Sequence, residues 1–231
     1  MSVVTSPHSR AASWRSDALA HHRRDRAAAQ AALDDLAVRI RPTGAAHERS
    51  LSVPEPFAAL LPRVQRGAVV AIDGPPGAGV LSVAFGIAAG VTQAGEWVAA
   101  VDPDGVFGGN AAIECGIDPE RFVVARHVSA RQWSAVVAAF LDGAPCVLAY
   151  VPARVSQSDA QRLVARARER ASALLVVGPW PAAAASRIRL TESVWSEFGI
   201  DAPFLDSART FHAHVEGRGQ APGPRALAVA S

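Results

Sequence analysis

The sequence contains no lysine: all 23 of its basic residues are arginine. That absence excludes Schiff-base chemistry and the lysine of a phosphate-binding P-loop. Cysteine is scarce too. Cys115 and Cys146 are too few for a disulfide framework or a zinc site, and their apolar contexts read as buried thiols. No apolar run reaches the roughly 18 uncharged residues that a membrane span needs, so no membrane contact is expected. The first ten residues, MSVVTSPHSR, lack the basic-then-apolar pattern of an export signal, and a cytoplasmic location is the expectation. An excess of one charge is lacking as well. With 21 acidic residues the net charge is +2, too small to mark a nucleic-acid binder by itself. What is present is a hydrophobic half of 231 residues, enough for one sizeable domain with an extension.

Residues 1–50 stand apart, with eight arginines, five acids and four of the seven histidines. No Gly or Pro interrupts Ala11 to Ile40, and alanine dominates, which predicts a long N-terminal helical arm. Leu33, Leu36, Ala37 and Ile40 fall at three- and four-residue spacing and give it one apolar face. That face either packs on the core or docks a partner, and Leu33, Leu36 and Ile40 are the candidate partner-binding residues. From Leu51 onward short apolar runs alternate with helical patterns. Strands are predicted at 68–72, 97–101, 122–125, 146–150 and 174–177, with helices at 80–92, 109–115, 131–141 and 156–172. Continuous apolar strands of this kind suit a parallel sheet covered on both faces, hence an α/β core over residues 51–217. Arg187 to Trp195 and Thr210 to Glu216 alternate in polarity and predict antiparallel edge strands. Residues 218–231, with their Gly and Pro, are expected to form a flexible tail.

The turn after the first core strand, Asp73-Gly74-Pro75-Pro76-Gly77-Ala78-Gly79, is the best-placed functional feature. A P-loop reads G-x-x-x-x-G-K-[ST] between a strand and a helix, so that backbone N–H groups fold around phosphate. Its lysine neutralises the β/γ charge and its hydroxyl holds magnesium. Gly74 and Gly79 have that spacing here. The lysine position is Val80, the hydroxyl position is Leu81, and Ser82 comes one residue late, rotated by about 100° around the helix.

Gly67 to Gly79, preceded by Leu60-Leu61-Pro62 and Arg66, resembles the opening of the RecA recombinase core. Trp97-Val-Ala-Ala-Val-Asp-Pro-Asp104 is similar to that family's second strand, whose terminal acid positions the attacking water. The resemblance gives Asp104 that place, one methylene short. Gly116 to Phe122 resembles a further passage of the family, and the likeness runs from about residue 55 to residue 217. Four departures accompany it. The lysine and the hydroxyl are gone, Tyr150 stands where the Walker B strand carries its aspartate, and the second DNA-binding loop shrinks to Gly178–Ser186. Together they read as a RecA-like pseudo-ATPase, and the nearest group is the ImuA and ImuA-prime accessory proteins of bacterial mutagenesis cassettes. That resemblance implies a non-catalytic, SOS-induced scaffold without cofactor or metal. It implies as partners a Y-family-like polymerase homologue of the ImuB type and an error-prone C-family polymerase, in translesion synthesis. A divergent RecA-type ATPase or recombinase is the enzymatic alternative, and a SulA-type cell-division inhibitor the second non-enzymatic one.

Other features carry two readings each. Gly74, Gly77 and Gly79 either serve as a tight turn or retain weak anion binding. Asp102 and Asp104 are either a carboxylate pair at a strand end or part of an ordinary turn. Arg162, Arg166 and Arg170 lie four apart on one helix face, as a phosphate-contacting stripe for weak or indirect DNA contact or as a solvated face balanced by Asp159 and Glu169. His212, His214 and Glu216 share one strand face, as metal ligands or as the wet side of an edge strand. Trp180 and Trp195 are either interface anchors or core.

Overall fold

The computed structural model describes residues 50–152, 155–195, 208–217 and 220–230. The chain divides into two compact units, 1–40 and 41–231. The expected N-terminal arm, with Leu33, Leu36 and Ile40, lies outside the described residues.

Ten strands and four α-helices make up the described part of the second unit. The strands are β1 (Ser50–Ser52), β2 (Arg63–Gln65), β3 (Val69–Asp73), β4 (Val98–Asp102), β5 (Phe122–Arg126), β6 (Cys146–Tyr150), β7 (Ala173–Val177), β8 (Ser186–Trp195), β9 (Ala208–Gly217) and β10 (Gln220–Ala230). The helices are α1 (Val80–Gln93), α2 (Gly109–Glu114), α3 (Ala130–Gly143) and α4 (Gln157–Arg170). Eight strands form one mixed sheet in the order β10-β9-β8-β3-β7-β6-β4-β5. From β8 to β5 neighbouring strands run parallel, whereas β8-β9 and β9-β10 are antiparallel. The protein is therefore an α/β domain with a mostly parallel sheet, flanking helices and antiparallel C-terminal strands.

The central strands are apolar throughout because both of their faces are covered. Val70, Ile72, Val98, Ala100, Cys146, Leu148, Leu175 and Val177 alternate onto the face that packs against α1. α1 is itself buried from Val83 to Thr92, so it lies deep rather than on the surface. Phe57 rests on Gly86 of that helix, where a methyl group would sit 2.1 Å from the ring. On the other face, Trp133, Val137, Phe140 and Leu141 of α3 and Ala160, Leu163 and Ala167 of α4 recur at helical spacing and are buried. Each buried Leu- or Phe-sized side chain contributes about 1.5–3 kcal/mol, so these two layers carry most of the stability.

Two elements were not anticipated. β1 and β2 form a small antiparallel sheet, with Leu51 opposite Val64 and both buried. The second is a correction: residues 220–230, expected as a flexible tail, form β10 along the whole of β9. Its inward positions are Gly223, Arg225, Leu227 and Val229, and Leu227 is buried. Arg225 Nη1 donates to the carbonyls of Ala59 (2.9 Å) and Leu60 (3.2 Å). Proline is tolerated because an edge strand has one side with no ladder to complete.

Candidate functional site

The turn between β3 and α1 opens onto a cleft of about 950 Å³. Gly74, Gly77, Gly79, Val80, Leu81 and Tyr150 all line it, so the structure gathers six of the seven residues of the expected nucleotide loop. Asp104 is the exception. It is exposed on the turn after β4 and is not among the lining residues. Its neighbour Asp102 faces the other way, fully buried, and its carboxylate accepts from the N–H groups of Val106 and Phe107, both at 2.9 Å. Those two bonds close the turn and, with Arg126 Nε 3.9 Å from Oδ2, compensate the burial of the carboxylate, so the two aspartates do not act as a pair.

The loop is shaped by the chain's own strands. Gly79 has φ +87°, and a Cβ there would lie 2.2 Å from the Phe211 ring of β9. A Cβ on Gly74 would lie 2.7 Å from the Leu190 carbonyl of β8. Both glycines thus admit the close approach of β8 and β9. Gly77, at φ +83°, has open space around it and supplies only the turn. Its carbonyl accepts from Arg209 Nη2 (3.0 Å) and from the Ser193 hydroxyl (2.9 Å), and Arg209 Nη2 also reaches Ser193 Oγ at 2.8 Å. The Arg209 guanidinium lies 5.1 Å from the Trp195 ring centre and 4.9 Å from that of Phe211.

The residues present do not fit a nucleoside triphosphate with magnesium. Pro75 and Pro76 have no N–H to offer a phosphate. The Ala78 N–H is used by the Pro75 carbonyl at 3.1 Å. Val80 and Leu81 are apolar, and Tyr150 stands edge-on to Phe107, ring centres 6.3 Å apart, with its carbonyl accepting from Trp133 Nε1 at 2.8 Å. The remaining ionised groups at the cleft are Asp73 and Arg189, paired at 3.1 Å across β3 and β8. That carboxylate holds the Arg189 guanidinium above the ordinary arginine range.

The other expected sites are dispersed. On α4, Arg162 pairs with Asp159, while Arg166 and Arg170 both pair with Asp142 of α3, Arg170 Nε at 3.0 Å. His214 Nε2 lies 3.5 Å from Glu216, and among the described residues no group of three His, Cys, Asp or Glu side chains could hold a metal ion. Trp180 is buried, and Trp195 is 49% exposed beside Arg209. Cys146 is fully buried, which pushes its thiol up to about 12, and Cys115 is raised chiefly by burial and then by Glu114. Among the described residues no helix is long and apolar enough to cross a membrane.

The model of one protein family, the MT3502 N-terminal domain, matches residues 59–182, more than half of the chain. The chain belongs to this family. No curated protein matches the sequence. The stretch that matches the MT3502 N-terminal domain takes in the glycine-rich turn, Asp104 and Tyr150, and ends before β8. Arg189, Ser193, Arg209 and Phe211, the residues that occupy the loop, lie outside it. Sequence reasoning missed these four because their partners are more than a hundred residues earlier. The only local signal was the polar alternation of the two strands.

Proposed function

We propose that this chain is a non-catalytic accessory protein of RecA-like descent, of the ImuA and ImuA-prime kind. In this reading it serves error-prone translesion synthesis by binding a Y-family-like polymerase homologue of the ImuB type, alongside an error-prone C-family polymerase. The strand–turn–helix placement of Gly74 to Gly79 and the order of the core strands support the descent. One observation carries the loss of catalysis: Val80, Leu81 and Tyr150 hold the lysine, hydroxyl and Walker B positions, and Arg209 and Ser193 bond to Gly77 inside the loop. A loop whose Gly77 carbonyl is tied to its own strand, with two prolines and the Ala78 N–H already bonded, and with no cation or hydroxyl at its end, has little with which to hold a phosphate.

Calorimetric titration with magnesium ATP and a phosphate-release assay test the first half. Neither binding nor release is expected. Release that disappears in Asp104→Asn would restore the ATPase reading. Co-purification from DNA-damaged cells tests the second half, with the full chain and with residues 1–50 deleted. The polymerase homologue is expected with the full chain, and its absence from both preparations would end the scaffold reading.

A further inference from the structure

We propose that the cleft left at the end of β3 is a docking groove for a short protein segment that pairs a bulky apolar side chain with a carboxylate. The inference rests on the non-catalytic reading above, since it needs the cleft free of nucleotide. At about 950 Å³ the cleft lies at the upper end of ordinary ligand pockets and has room for several side chains. Its walls are largely apolar, formed by Leu81, Val106, Tyr150 and Leu190. Val106 is 37% exposed there, and Trp195 stands at 49% beside the lining residue Arg209.

Charge narrows the occupant. Arg209 is a permanent cation with no carboxylate partner among the described residues, and its Nε is buried without a hydrogen bond. Arg189 is 68% exposed at the same cleft, where it pairs with Asp73, the acid that lines it, and feels Glu216 of β9 more weakly. The lining residues therefore offer two guanidinium groups against one carboxylate, and an incoming acid would balance them. That acid is met by guanidinium groups, whose planar N–H donors suit a carboxylate. A second copy of the chain is disfavoured. A stable interface needs about 800 Å² from each partner, and among the described residues only Val106 and Trp195 of the large exposed hydrophobics lie here.

Panning a phage library of random twelve-residue peptides on the full chain tests this, followed by fluorescence polarisation with the enriched peptide. Enriched sequences should place Asp or Glu within a few residues of Leu, Ile, Phe or Trp. Affinity should fall about tenfold or more in Val106→Glu and in Arg189→Ala, both at exposed positions, with thermal melts unchanged. Should Val106→Glu fail to fold, Trp195→Ala carries the apolar arm. Absence of enrichment, enriched sequences without an acid, or affinity indifferent to these substitutions would overturn the inference. So would a concentration-dependent dimer, seen by light scattering and lost in Val106→Glu, because the occupant would then be a second copy. Displacement of the peptide by magnesium ATP would instead bring down the non-catalytic reading and this inference with it. Failure to bind peptide in a chain inert to ATP removes the inference alone.

Discussion

Arginines on α4 and arginines in the cleft differ in what faces them. Of the four on α4, the three of the stripe are each met by a carboxylate: Arg162 by Asp159, Arg166 and Arg170 by Asp142 reaching across from α3. In the cleft Arg189 has Asp73, whereas Arg209 has a carbonyl, a hydroxyl and two aromatic rings. The first group therefore fastens one helix to its neighbour and leaves little field for a phosphate. The second keeps a cation whose charge is unbalanced within the described residues. A regular stripe of arginines is the more conspicuous pattern in sequence, yet it is the solitary Arg209 that has no carboxylate among the described residues.

The comparison breaks first at the glycine that seats β9 on the loop. Gly79→Ala places a methyl group 2.2 Å from Phe211 at a backbone angle of +87°. Overpacking and strain together should cost about 3 kcal/mol and displace β9, and Arg209 with it. Gly77→Ala has a similar angle, +83°, but open space. It should cost about 1 kcal/mol, the strain alone. Urea melts of the two variants check this, and equal losses would mean that the packing of Phe211 contributes nothing.

Salt sharpens the contrast between the two groups. Asp142→Ala strands both Arg166 and Arg170, whose side chains are 38% and 46% exposed. A surface network of this kind contributes about 1 kcal/mol, and most of it is screened at molar salt. Arg209→Ala removes hydrogen bonds and two cation–π contacts, also about 1 kcal/mol, in which full ionic attraction has no share. Melts in low and high salt should shrink the Asp142→Ala loss and leave the Arg209→Ala loss nearly unchanged. Equal salt sensitivity would mean that Arg209 has a carboxylate partner after all.

The core was legible because its determinants are local. Runs such as Val69–Ile72 and Cys146–Tyr150 are apolar at every position, and the strands and helices between 68 and 177 fall within two residues of expectation. The missing lysine, hydroxyl and acid at Val80, Leu81 and Tyr150 could be read directly too. What occupies the loop could not. Pairing of β8 beside β3 brings Arg189 opposite Asp73, and β9 follows with Arg209, a register that sequence periodicity does not encode. Asp142 answering two α4 arginines is likewise a tertiary fact, where sequence offered Asp159 and Glu169. β10 was hidden by Pro222, Gly223 and Pro224, which signal a loop unless the strand is known to lie at an edge. Beyond them, Arg225, Leu227 and Val229 alternate inward as a strand requires.

The smallest effect lies at the start of α4, where the neutralised side of the comparison can be titrated directly. Ser156 caps the helix by accepting from the Asp159 N–H at 3.0 Å, and its hydroxyl donates back to Asp159 Oδ2 at 2.6 Å. The Ser156 hydroxyl first, and then Arg162, hold the Asp159 carboxyl below the ordinary carboxylate range. A pKa lowered on folding adds stability above the unfolded value, and that contribution is lost as pH falls through the folded one. Carboxyl-detected NMR should show Asp159 titrating below a typical aspartate. Its midpoint should rise in Ser156→Ala and by less in Arg162→Ala, and neither change should depend on Arg209. If Arg162→Ala gave the larger rise, the charge of the stripe rather than the cap would govern this end of the helix. The α4 arginines would then exert more field than their pairing implies.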